Sequence, residues 1–414
     1  MNICLLDRIM MKLTDLTRKA SKFVPQDFIS NMPDNVVTNI LDRLPLQHAV
    51  RTSILSRNWR FKWTTLTQLV FDEKFFEYLT KTKGKSNCGG IISRLLLQIK
   101  GVVEKFVLSM GKVKGTNDVE NINHWILFLS TKSIKDLTLR SVNGIPVKLP
   151  THLFSCLELK HLKLTNCCFH PPHSIPGFPN LLSLKLCVVK FESGILGEIL
   201  TRCPSLEILD MRHLLYPHKV KLVDFAKSEN LKILSLCLYH IDAVAIRSST
   251  IFELVGFLPK LQELDLVFLE NYKLTESGAT MRFPAACLKA LKLSDINLGN
   301  VMLLSCVFEM IRHFPNLHTL EITTVIPKRD AHPIPNPIPE VEYNTTGLRS
   351  VVFRYFAGSE NEVCLIKYIL ACSPFLEKIV IHSHWSLASD ERLMFTMKLL
   401  KLRRASTVAE IDFD

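Results

Sequence analysis

The chain has 414 residues, more than one hydrophobic core usually holds, and 47% of them are hydrophobic, which excludes an intrinsically disordered protein. Its net charge is +12 at pH 7, but the cations are spread along the sequence without a basic helix or an RNA-binding motif. We therefore expect a basic protein surface and not a dedicated nucleic-acid-binding protein.

The twelve cysteines predict buried, reduced thiols rather than disulfides. The apolar run near the N-terminus is interrupted at Asp7, too early for a secretory signal. No C-x-x-C pair and no run of 18 apolar residues occur, so we expect neither a metal site nor a membrane span. We expect an intracellular protein of the cytoplasm, the nucleus or both. Four cysteines lie inside apolar strand or helix patterns: Cys187, Cys203, Cys237 and Cys306.

Residues 1–24 mix charged and apolar residues without a clean period, which predicts a lead that is disordered or forms a frayed amphipathic helix. Residues 25–72 hold three short helical patterns. The first starts at Pro33 and stops at Pro45, and the third is expected to be capped by Ser56. An apolar stripe with helical spacing runs along the first pattern through Val37, Ile40, Leu41 and Leu44.

This module resembles the F-box of plant proteins. The matching residues are Met32, Pro33, Asp34, Ile40, Leu41, Leu44, Pro45, Ala49, Val50, Arg51, Thr52, Ser53, Leu55, Ser56, Trp59, Arg60 and Trp63. Two positions depart from the family pattern, which usually has Leu at Met32 and a cation at Asn58. The resemblance implies docking on a Skp-type adaptor through Met32, Pro33, Val37, Ile40, Leu41, Leu44, Pro45 and Val50.

Residues 73–100 are predicted to form a linker, with a loop over residues 80–90 and a helix over residues 91–99. The N-terminal module and this linker precede a long repetitive region.

An L-x-x-L-x-L repeat occupies residues 101–326 and continues beyond them. Its period-2 end predicts a strand, and helical patterns fill several of the intervals. Five prolines, each two residues before the first Leu of a unit, predict that the chain turns there into the next strand: Pro179, Pro204, Pro259, Pro315 and Pro374. The units start at Val103, Ile134, Leu159, Leu181, Leu206, Leu231, Leu261, Leu288, Leu317, Leu348 and Leu376.

This pattern is the strand–helix unit of a leucine-rich repeat, although several units are longer than usual. The ninth place of a unit, which normally carries Asn or Cys, holds mostly apolar residues here, such as Val189 and Ile296. We expect an α/β fold: a three-helix F-box and then an irregular solenoid with parallel strands on its concave face and helices on its convex face.

Residues 327–345 contain alternating prolines, which predict an extended loop. Residues 346–414 resemble the FBD region that accompanies F-boxes in plants, in Gly358, Asn361, Glu362, Pro374, Leu376, Glu377 and Lys378. We expect this region to add strand–helix units and to cap the solenoid with a final helix over residues 391–404.

We find no catalytic motif and expect a protein that is not an enzyme and needs no cofactor. A polar row on the concave strand face is the candidate binding surface for an unknown target protein. Its residues are Arg140, Lys163, Lys185, Asp210, Arg212, Asp265, Lys292 and Glu321.

The family resemblance implies a substrate-recognition subunit of a Skp–cullin–F-box ubiquitin ligase, which would hold a target near the ubiquitin-conjugating enzyme. Two other readings stay open at this stage: a hormone-like small-molecule co-receptor within such a complex, and an interaction or nucleic-acid-binding scaffold outside a ligase.

Overall fold

A computed structural model describes residues 32–83, 88–110, 118–142, 146–169, 177–191, 195–213, 221–238, 241, 248–268, 287–325, 346–385, 387 and 389–413. The predicted lead over residues 1–24 and the predicted proline-rich loop over residues 327–345 lie outside these residues. The chain divides into two compact units, Met1–Asn143 and Gly144–Asp414.

The described part of unit 1 begins with two α-helices, α1 (Asp34–Leu41) and α2 (Leu46–Arg51). Two 3₁₀ turns follow, Thr52–Ile54 and Lys62–Thr65. The α-helix predicted to start at Ser56 is therefore wrong. Among the described residues the buried Ser56 hydroxyl has no hydrogen-bond partner, so it caps nothing.

The rest of unit 1 is a three-stranded parallel sheet with helices between the strands. Strand β1 pairs with β2, and β2 pairs with β3. The elements are β1 (Gln68–Phe71), α3 (Glu73–Lys83), α4 (Cys88–Gln98), β2 (Lys105–Met110), α5 (Asp118–Ser130) and β3 (Asp136–Ser141).

The predicted linker needs correction, because the expected loop from residue 80 is helical up to Lys83 and again from Cys88. The segment over residues 73–100 connects β1 and β2, which are neighbouring strands of one sheet. Leu66, Leu69 and Phe71 are buried and have the repeat spacing, so a strand–helix unit already starts inside the predicted F-box range. Phe71 packs against Phe106 of β2 with ring centroids 5.6 Å apart.

Unit 2 continues the strand–helix alternation. Its strands are β4 (Val147–Lys148), β5 (His161–Phe169), β6 (Ser183–Phe191), β7 (Ile208–His213), β8 (Ile233–Cys237), β9 (Glu263–Val267), β10 (Ala290–Ile296), β11 (Thr319–Thr324), β12 (Ser350–Phe356), β13 (Lys378–Ser383) and β14 (Glu410–Phe413). Its described helices are α6 (Ile195–Thr201), α7 (Leu222–Phe225), α8 (Ser248–Gly256), α9 (Val301–His313), α10 (Glu360–Cys372) and α11 (Ser389–Leu400), with a 3₁₀ turn at Thr151–Ser155.

The strands of unit 2 pair in parallel and in chain order from β5 to β14, and β4 adds to β5. Each predicted repeat start lies two residues before a strand, from Val103 before β2 to Leu376 before β13. The predicted α/β fold with a solenoid-like parallel sheet is confirmed.

The five repeat prolines occupy equivalent tight turns. The amide of Leu181 donates to the carbonyl of Phe178 across Pro179, at 3.2 Å. The same hydrogen bond, from an amide to the carbonyl three residues earlier, recurs at Leu206, Leu261, Leu317 and Leu376. Proline suits the second position of such a turn because its φ is already fixed near the required value. The prediction that each proline turns the chain into a strand is confirmed.

The units lack an asparagine ladder. Instead, a residue with a left-handed backbone conformation is followed by a buried residue. The eighth residue of four units has a positive φ: Asn166, Val188, Asp295 and Tyr355. The ninth residue then turns inward and is fully buried, as at Val189, Ile296 and Phe356. Backbone hydrogen bonds serve the turn, for example from the Val325 amide to the Ile296 carbonyl at 3.1 Å.

The FBD-like residues hold the start of α10. Ser359 and Glu362 form a reciprocal capping box, and the Glu362 carboxylate also accepts from the Ala357 amide at 3.3 Å. Burial raises the pKa of Glu362, and the hydrogen bonds from Ser359 and Ala357 oppose that shift. The buried Asn361 side chain donates to the Leu298 carbonyl at 2.9 Å. These residues therefore have structural roles.

The chain ends in a strand that was not predicted. The expected final helix is α11, but β14 follows it and pairs with β13. Val408, Ile411 and Phe413 have the repeat spacing, so the sequence carried the signal.

Buried cysteines are confirmed at Cys203, Cys237 and Cys306. Burial raises the pKa of Cys306 to about 12 and that of Cys203 to about 11, which keeps both thiols protonated. Cys187 is only half-buried, because it lies on the outward face of β6 beside Thr165 of β5.

We expect Gly358→Ala to lower the free energy of unfolding by about 2 kcal/mol. Gly358 has a φ of +76°, and an added Cβ would overlap the Phe395 ring. Urea denaturation of the full chain measures the change. Gly101→Ala is the matched control, since its φ is not left-handed and its nearest neighbour would be 3.3 Å away. Equal losses for the two variants would contradict the role of backbone strain at Gly358.

Candidate functional site

Helix α1 has two apolar faces, and one of them packs against the described core of unit 1. Val37 and Leu41 are 2% and 1% exposed, so they belong to this core. Their contact with the adaptor stays a prediction, and in this fold their burial gives them a structural role.

The opposite face of α1 is exposed and continues into the following turn. Ile40 and Leu44 are 42% and 40% exposed. Val36, one helical turn before Ile40, is 41% exposed and lies on the same face. Pro33 and Pro45, which flank the helix, are also exposed. We name Pro33, Val36, Ile40, Leu44 and Pro45 the outer stripe.

Two of the predicted adaptor-contacting residues are neither buried in the core nor fully exposed. Met32 and Val50 are partly buried. Two exposed apolar residues of the same region were not predicted, Leu55 and Phe61, at 66% and 58% exposure. Their signal was present, because both lie among polar residues where no helical stripe requires them.

Asp42 fixes the end of α1 to the start of β1. Its carboxylate accepts from the Thr67 amide at 3.0 Å, from the Thr67 hydroxyl at 2.6 Å and from the Gln68 amide at 3.3 Å. Thr38 and Thr65 share a hydrogen bond of 2.9 Å, and Lys62 pairs with Asp34. The outer stripe therefore stands on a helix that side-chain hydrogen bonds hold to the sheet.

The second candidate surface is the outward strand face of unit 2. The strand pairings align most of the predicted binding residues in one continuous row. The row runs through Lys163, Lys185, Asp210, Ser235, Asp265, Lys292 and Glu321. Arg140 lies in unit 1, where it pairs with Glu73 at 3.7 Å.

An ion cluster neutralises the middle of this row. The Arg212 guanidinium donates to both Asp210 oxygens, at 3.1 and 2.8 Å, and to Asp265 at 3.2 Å. Burial alone would raise the pKa of Asp210, but the bonds and charge of Arg212 hold that pKa below its usual value. Burial raises the pKa of Asp265, which is 4% exposed. Asp265 therefore holds Arg212, which gives it a structural role, and its contact with a target stays a prediction.

Among the described residues, no group of three or more His, Cys, Asp or Glu side chains is suited to hold a metal ion. Every helix in the described ranges falls short of the length and apolar character that crossing a bilayer requires.

Two family models match the chain. The F-box domain model matches residues 29–69, and a model described as the leucine-rich repeats of the FBD-associated F-box protein At5g56370 matches residues 122–258. The fold and these matches show an F-box domain and, after it, leucine-rich repeats like those of FBD-associated F-box proteins.

Curated relatives narrow the class. The F-box/FBD/LRR-repeat protein At1g13570 of Arabidopsis thaliana is 29% identical over 94% of this chain and 98% of the relative. The probable FBD-associated F-box protein At1g32375 of the same plant is 23% identical over 94% of this chain and all of the relative. The predicted resemblance to the plant F-box/FBD/leucine-rich-repeat family is confirmed.

A solved internalin from Listeria monocytogenes aligns over 92% of this chain and 94% of its own, with 12% identity and a TM-score of 0.41.

We expect Asp42→Ala to lower the free energy of unfolding by about 2 kcal/mol, because it leaves the Thr67 and Gln68 donors without their charged acceptor. Asp34→Ala removes only the exposed pair with Lys62 and should stay within about 0.5 kcal/mol of the wild type. Chemical denaturation measures both changes. Hydrogen exchange of the α1 amides should rise only for Asp42→Ala, and unchanged protection there would refute the anchoring role.

Proposed function

We propose that the chain is the substrate-recognition subunit of a Skp–cullin–F-box ubiquitin ligase. The outer stripe docks on a Skp-type adaptor, and the repeats of unit 2 hold a target protein. The observation that carries the proposal is the outer stripe, an exposed apolar face inside the range that the F-box model matches, residues 29–69.

The outer stripe supports docking because its apolar side chains stay exposed in the described part of unit 1. Val37 and Leu41 already fill the core side of α1. Apolar side chains such as Ile40 and Leu44 are exposed to water, which is unfavourable in free energy. Burial of these side chains in an interface would remove this cost. The hydrogen bonds of Asp42 keep the helix in place before docking, so less conformational entropy is lost on binding.

In this role the chain makes and breaks no bond. It raises the local concentration of the target beside the conjugating enzyme, and such positioning replaces a large part of an entropic barrier. The proposal needs no cofactor. It places the protein in the cytoplasm, the nucleus or both, where the ligase machinery meets its targets.

We expect the double variant Leu44→Asp with Pro45→Ala to bind the Skp-type adaptor about a hundredfold more weakly, because a carboxylate would be buried unpaired in an apolar interface. Pull-down and titration with purified adaptor measure the loss.

Leu97→Asp is the matched control. Leu97 lies on α4 and is 82% exposed, so it presents an equally apolar surface position outside the outer stripe. It should leave adaptor affinity unchanged. Circular dichroism verifies that both variants are folded, and full adaptor binding by the folded double variant would refute the docking role.

A further inference from the structure

We infer that a lysine patch on unit 2, formed by Lys163 and Lys185, binds an acidic segment of the target protein. The inference rests on the proposed function, because it names the chemistry of the target that the repeats would hold.

Strand register brings these lysines together. Lys163 of β5 is the direct partner of Lys185 of β6, so their Cα atoms lie about 5 Å apart.

Both lysines project away from the core. Each is exposed, whereas the neighbours Leu164 and Leu184 are buried. Because side chains alternate across a strand, the two lysines share the outward face. The sequences of β5 and β6 contain no Asp or Glu, so neither strand supplies an acid to the patch.

The patch differs from four other cations on the strands of unit 2, which have acidic partners. Arg212 binds Asp210 and Asp265, Lys292 binds Glu263 at 2.6 Å, Arg354 binds Glu321 at 2.6 Å and Lys378 binds Asp412 at 3.2 Å.

Lys163 and Lys185 form no salt bridge to any residue in the described part of the chain. Asp210, the acid on the next strand, is instead held by two hydrogen bonds from Arg212. Like charges placed directly opposite each other on a sheet are destabilising. An anionic partner relieves this repulsion at Lys163 and Lys185 and gains two charge-assisted contacts.

The small number of cations favours an acidic peptide over a nucleic acid, whose binding typically uses roughly 6–10 phosphate contacts. The carboxylates of an extended peptide recur on one side about every 7 Å, close to the spacing of Lys163 and Lys185. Lysine amines on flexible stems adapt to carboxylates of varied spacing.

The test uses the full chain and a fluorescent octaglutamate peptide, with octaglutamine as the neutral comparison. Anisotropy titration should show octaglutamate binding that weakens with salt and no comparable octaglutamine binding. Lys163→Gln with Lys185→Gln should weaken octaglutamate binding about tenfold, as expected for the loss of two charged contacts.

Lys289→Gln with Lys367→Gln is the matched control, since both lysines are exposed and the net charge changes equally. It should bind octaglutamate like the wild type. Equal weakening by both pairs would overturn the inference, because only net charge would then matter. No preference for octaglutamate would also overturn it, as would equally tight, Lys163-dependent binding of a thymidine oligonucleotide of the same charge.

Different measurements test the docking role of the outer stripe and the binding role of the lysine patch, so one can be refuted without the other. Adaptor titration reports on the outer stripe and is independent of the lysine patch. Loss of octaglutamate selectivity with intact adaptor binding removes only the lysine patch. Intact selectivity without adaptor binding removes the ligase role and leaves an anion-binding surface.

Discussion

The fold depends on parallel strand pairing in a fixed register. Each strand buries residues at alternate positions, such as Leu162 and Leu164 in β5, and this burial excludes a register slip of one residue. The same register aligns the outward residues in continuous rows. A charged residue on one strand therefore meets the equivalent residue of the next unit, which lies more than 20 residues away in the sequence.

This constraint gives the outward face two different regions. From β7 to β14 cations and acids meet across strands and neutralise one another, as in the Arg212 cluster. From β4 to β6 the aligned positions carry lysines without acids on the same strands. The chemistry of the surface follows from the sequence of neighbouring units and not from any single strand.

The F-box obeys a related constraint on a smaller scale. A short helix with apolar residues on two sides can bury only one of them in so small a module. Val37 and Leu41 are buried, and Ile40 and Leu44 remain outside. In the FBD-like region, by contrast, Asn361 and Glu362 are turned inward and hold α10, which explains polar residues at buried positions without any role in binding.

The sequence by itself determined the repeat architecture, because the L-x-x-L-x-L spacing and the prolines before it are local signals that act within one unit. It also carried the signals of β1 and β14, at Leu66 and Val408, which the same spacing reveals. Only the tertiary structure decided which side of α1 faces the core, that Asp265 is buried and that Lys163 lacks a described acidic partner. These properties depend on residues brought together from distant units. The spacing of apolar residues within one segment does not show which residues of other units lie next to it.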